Sequence, residues 1–90
     1  MQLTDKITIS SEVVARAVGK DLVLLHLSSG TYFGLDPVGA RIWELIGEDK
    51  TLAEIYEVLL KEYDVPREDL ERDTIKLLED LLAQDLITPS

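Results

Sequence analysis

A chain of 90 residues is long enough for one small hydrophobic core and too short for two. Hydrophobic residues at 46% and charged residues at 30% describe a folded chain rather than a disordered or fibrous one, and the absence of cysteine excludes disulfides, thiolate metal sites and cysteine nucleophiles. The formal charge of −9 weighs against nucleic acid or an anionic membrane surface as the partner, because both are bound mainly through Lys and Arg.

No apolar run approaches the ~18 residues that span a bilayer. The opening Met1-Gln2-Leu3-Thr4-Asp5-Lys6 lacks the apolar stretch of a secretion signal, so a cytoplasmic protein is expected. In chain order, Ile7 and Ile9 suggest a short extended lead-in. Val13 to Val18 is rich in β-branched residues and is broken by Gly19-Lys20-Asp21. Residues 22–27 are apolar apart from His26, and Ser28-Ser29-Gly30 breaks them from Thr31-Tyr32-Phe33-Gly34-Leu35. Short β-type runs joined by Gly-containing turns predict consecutive hairpins, hence a three-stranded antiparallel meander.

From residue 36 the period becomes helical. Asp36-Pro37 is a start signal, since Asp caps free N–H groups and Pro is tolerated at the first helical position. Val38, Ile42, Leu45 and Ile46 share a face, Trp43 sits at its edge, and Gly47 is placed to end the helix. Thr51-Leu52-Ala53-Glu54 fits a capping box, and Leu52, Ile55, Tyr56, Leu59 and Tyr63 make the stripe of a second helix. Asp64-Val65-Pro66 breaks it, and a third helix is predicted over about residues 66–85, with Leu86 and Ile87 docking the tail on the core. Strands first and helices afterwards predict an α+β domain, a three-stranded antiparallel sheet followed by three helices in a winged helix-turn-helix-like arrangement. Residues 1–90 form one domain in this reading, without repeat or linker.

Catalytic chemistry finds little to stand on. His26, the lone histidine, lies inside an apolar strand with no visible nucleophile. The phosphate loop, the H-E-x-x-H zinc helix and the G-x-S-x-G elbow are all missing, so no catalytic residue, metal ligand or cofactor is assigned. A carrier-protein reading fails because no helix starts on the Asp-Ser-Leu setting that carries phosphopantetheine. A small hydrolase built on paired carboxylates would need a desolvating cleft that a domain this small hardly provides.

Surfaces are the better candidates. The strand over residues 31–35 is third in the meander and therefore an edge, with neither Lys nor Pro to blunt it. Such an edge accepts an added strand from an extended peptide. On the third helix, with Leu70 at zero, Leu77, Leu81 and Leu78 fall at about 340°, 20° and 80°, while Leu82 and Ile75 fall near 120° and 140°. That arc of about 160° exceeds the ~100° a surface helix needs, leaving one flank to line something besides the core. Asp73, Lys76 and Asp80 lie together beside Leu77, an apolar border edged with charge, suited to a peptide with aromatic or proline anchors and lysines. The sequence does not decide which flank that is. Charge is also partitioned: Asp5, Glu12, Asp21 and Asp36 balance Lys6, Arg16, Lys20 and Arg41, so the whole −9 arises from residue 44 onward.

The run Gly30-Thr31-Tyr32-Phe33-Gly34-Leu35-Asp36-Pro37-Val38-Gly39-Ala40-Arg41-Ile42-Trp43-Glu44-Leu45 resembles the coenzyme PQQ synthesis protein D family. The likeness continues through Thr51-Leu52-Ala53-Glu54-Ile55, Glu71-Arg72-Asp73, Leu77-Leu78 and Asp85-Leu86-Ile87. Its Tyr-Phe-Gly-Leu-Asp-Pro stretch departs from the PQQ members and is more similar to the stand-alone leader-binding proteins of lasso-peptide biosynthesis. The resemblance implies a recognition element for ribosomally made precursor peptides, non-catalytic, in which the leader adds as a strand beside the third strand and packs on the third helix. It implies that Tyr32, Phe33 and Gly34 meet the leader, with Asp73, Lys76, Leu77 and Asp80 on the opposite wall. It also implies a processing partner, a leader peptidase or another modifying enzyme. The competing reading, a winged-helix DNA-binding regulator, shares the layout but needs a basic recognition helix where this chain has acids.

Overall fold

The computed structural model describes residues 2–89. Its elements run β1 (Ile7–Ile9), β2 (Val13–Val18), β3 (Asp21–His26), β4 (Tyr32–Leu35), α1 (Pro37–Gly47), α2 (Leu52–Glu62), α3 (Arg67–Ala83) and β5 (Ile87–Pro89). The α+β class and the order, an antiparallel β2-β3-β4 sheet and then three helices, are as expected. Gly19 and Lys20 alone separate the paired Val18 and Asp21. Gly19 takes the left-handed φ of +65°, and Lys20 is not left-handed, the pattern of a type II′ hairpin turn.

Local signals build the helices as read. Asp36 Oδ1 accepts the Gly39 N–H at 2.8 Å, with Pro37 in the first turn of α1. Thr51 Oγ1 accepts the Glu54 N–H at 3.2 Å while Glu54 Oε1 accepts the Thr51 N–H at 2.8 Å, a complete capping box. The Thr51 backbone N–H, and after it the Thr51 side chain, hold the Glu54 carboxyl below the usual carboxylate range. One stop signal reads differently. Gly47 is the last residue of α1, but Asp49 takes the left-handed turn at φ 61°, a conformation that Asp visits more readily than most residues.

The core gathers Leu24 and Leu35 from the sheet, Ile42, Leu45 and Ile46 from α1, Leu52, Ile55 and Leu59 from α2, and Leu70, Leu78 and Leu81 from α3. Trp43 and Tyr56 are buried with them. Arg41 straps α1 to α2 through Glu62, donating Nε to Oε1 at 2.9 Å and Nη2 to Oε2 at 2.8 Å. This fork raises the Arg41 pKa and lowers that of Glu62. The extended lead-in and the docking tail find each other: β1 and β5 form a separate antiparallel pair, Ile9 opposite Ile87, which seats Ile7, Leu86 and Ile87 in the core.

Candidate functional site

Among the described residues β4 pairs with β3 alone, so its other edge is open. The hydrogen bonds flanking the sheet show which groups lie on that edge. The His26 N–H donates to the Thr31 carbonyl at 2.9 Å, and the Leu27 N–H donates to the Glu12 carbonyl at 2.8 Å. Bonding direction alternates along an antiparallel ladder, so even residues of β3 bond toward β4 and odd ones toward β2. Leu24 and Leu22 therefore exchange bonds with their register partners Phe33 and Leu35. Tyr32 and Gly34 turn their N–H and C=O groups outward.

Beside this edge lies a groove of about 770 Å³. Phe33, Gly34 and Leu35 form one wall, and Val38, Gly39 and Ile42 of α1 form the floor. Gly39 lets the first turn of α1 press against β4, since a Cβ there would stand 3.3 Å from both Asp36 Oδ1 and a Leu35 methyl. The far wall is α3, with Leu70, Thr74 and Leu77 low and Asp69, Arg72, Asp73, Lys76 and Asp80 along the rim. Tyr63, Val65 and Pro66 of the α2–α3 turn also line it.

Of the sequence-predicted residues, Phe33, Gly34, Asp73, Lys76, Leu77 and Asp80 come together around this one groove. Tyr32 does not line it. Its side chain, 70% exposed, lies on the opposite face of the sheet, so only its backbone faces the open edge. The Leu77 flank of α3 lines the groove, whereas Ile75 looks into a shallower depression with Leu3, Leu52 and Tyr56. Sequence reasoning missed Thr74 and Val65. Thr74 sits at about 40° on the α3 wheel, between leucines, a position that marks it as inward-facing despite its hydroxyl. Its Oγ1 is buried without a hydrogen-bond partner among the described residues.

Charge along the rim is unevenly compensated. Arg72 lies 3.2 Å from Asp69 and 3.6 Å from Asp73. Overall α3 carries Glu68, Asp69, Glu71, Asp73, Glu79 and Asp80 against Arg67, Arg72 and Lys76, a negative helix unsuited to a DNA groove. His26 is buried on β3 and does not line the groove. Among the described residues no cluster of His, Cys, Asp or Glu is arranged to hold a metal, and no helix is long and apolar enough to cross a membrane.

The sequence profile of coenzyme PQQ synthesis protein D (PqqD) matches residues 21–87. A solved structure of TbiB1 in complex with the TbiA(beta) leader peptide superposes with a TM-score of 0.84 at 45% identity, covering 89% of this chain and 93% of that one. A lasso peptide synthetase B1 complexed with the leader peptide also superposes at 0.84, with 27% identity over 93% of this chain and 99% of that one. No curated protein sequence matches significantly.

Proposed function

The chain belongs to the coenzyme PQQ synthesis protein D family, and on that footing we propose that it is a non-catalytic adaptor for a ribosomally made precursor, of the lasso-peptide class. It captures the precursor's leader by strand addition to β4 and presents it to a processing enzyme, such as a leader peptidase, in the cytoplasm. All 90 residues act as this one recognition domain. The observation that carries the reading is the unpaired edge of β4 standing beside the groove under α3. Backbone groups of Tyr32 and Gly34 supply the bonds, while Phe33 and Leu77 supply apolar contact from facing walls. Asp73, Lys76 and Asp80 complete the rim. The two relatives whose complexes hold leader peptides support the choice of ligand.

Holding the precursor raises its local concentration at the enzyme without any chemistry by this chain. An enzyme approaching the held precursor also needs surface clear of the groove. The outward sheet face offers Val14, Val18 and Tyr32, all exposed. Fluorescence-polarisation titration with labelled leaders, taken from any precursors encoded near this chain, tests the proposal. Saturable binding is expected. Absence of binding by the folded protein overturns it.

A further inference from the structure

Resting on that reading of the groove, we infer that its rim reads charge as well as shape: Asp80 takes a Lys or Arg side chain of the captured peptide, and Lys76 takes an Asp or Glu two positions away. The other charged groups at the groove already have partners. Asp36 caps α1 through the Gly39 N–H. Arg72 stands between Asp69 and Asp73. Lys76 and Asp80 line the same groove, yet neither makes an ion pair or side-chain hydrogen bond among the described residues.

Their order is also the poorer one for pairing with each other, since an i,i+4 couple is stronger with the acid on the N-terminal side. Asp80 occupies the last turn of α3, where the helix dipole disfavours an anion and where no basic residue compensates it. A local rule broken without internal compensation is expected where a site serves a ligand. Spacing fits an extended visitor. Four helical residues rise about 6 Å, and same-face residues of an extended chain are about 6.6 Å apart. A peptide lying along α3 can therefore meet both side chains at once.

The test is selection of a display library of random peptides on the intact wild-type chain and on Asp80→Lys, Lys76→Glu and, as a charge control off the groove, Glu57→Lys. The wild type is expected to enrich peptides with Lys or Arg at a fixed distance from their apolar anchors and an acid two positions away. Asp80→Lys is expected to turn the first preference acidic, Lys76→Glu to turn the second basic, and Glu57→Lys to change neither. Removing the selected Lys from an enriched peptide should weaken binding to the wild type about two- to fivefold and leave binding to Asp80→Asn unaltered. Thermal melts confirm folding, and Asp80→Lys should melt no lower than wild type because it complements the helix end. Enriched peptides without a positional charge preference, or with the same preference in Asp80→Lys, overturn the inference while leaving peptide capture standing. Failure of the wild type to enrich any peptide overturns peptide capture and this inference together.

Discussion

Gly34→Pro separates binding from folding, because the Gly34 N–H points away from the β3 ladder. Among the described residues a Cβ at Gly34 meets nothing within 4 Å, and edge strands are where sheets tolerate proline. The fold should survive. A visiting strand, however, loses one donor and meets the ring where its carbonyl would dock. A net backbone hydrogen bond is worth about 0.5–1.5 kcal/mol, and a carbonyl left unpaired on burial costs about 1–3 kcal/mol. Since the unpaired carbonyl already includes the lost bond, a loss of about 1–3 kcal/mol corresponds to roughly five- to 150-fold weaker binding. Phe33→Pro is the contrasting variant. It deletes a donor inside the ladder opposite Leu24, a residue with 0% exposure, and should cost about 1–3 kcal/mol of stability by stranding a buried carbonyl. Polarisation titration with labelled leader, alongside far-UV circular dichroism and thermal melts, reads both quantities. Gly34→Pro that folds and binds within twofold of wild type would refute strand addition at this edge.

Further outcomes follow from the same geometry. Phe33→Ala should weaken leader binding by about 1–3 kcal/mol if the ring anchors the peptide, whereas Tyr32→Ala, which removes a side chain on the opposite face, should leave affinity within twofold. Leu78→Ala should lower stability by about 2–5 kcal/mol in denaturant unfolding, since that fully buried side chain leaves a cavity. Thr51→Ala breaks the capping box of α2 and should cost about 0.5–2 kcal/mol in the same assay. Glu62 is held below its ordinary pKa by its hydrogen bonds from Arg41. Its contribution to stability is therefore complete above the ordinary carboxylate pKa of ~4.3 and is lost as the pH falls through the lower folded value. Glu62→Gln should accordingly flatten the acid limb of the Tm–pH profile.

Elements with strong local causes were legible in the sequence. The β-branched run of β2, the Asp36-Pro37 start and the Thr51/Glu54 box each act within a few residues, so their outcome needs no tertiary context. The open edge was legible too, because sequential hairpins leave the third strand unpaired on one side. The end of α1 at Gly47 was legible as well, but not the residue that makes the left-handed turn, because glycine is only the commonest residue there and Asp49 meets the same need two residues later.

What the sequence determined by itself was the set of amphipathic faces and the partition of charge, since both follow from residue order and period alone. Tertiary structure decided which flank of α3 lines the groove. A wide apolar arc fits either flank until Leu35, Ile42 and Tyr56 claim their sides. It decided that Phe33 lines the groove and Tyr32 does not, because alternation sets them on opposite faces but only the helices define which face is inside. It also joined β1 to β5, a pairing between chain ends that no local pattern encodes and that closes only when the core brings Ile9 opposite Ile87.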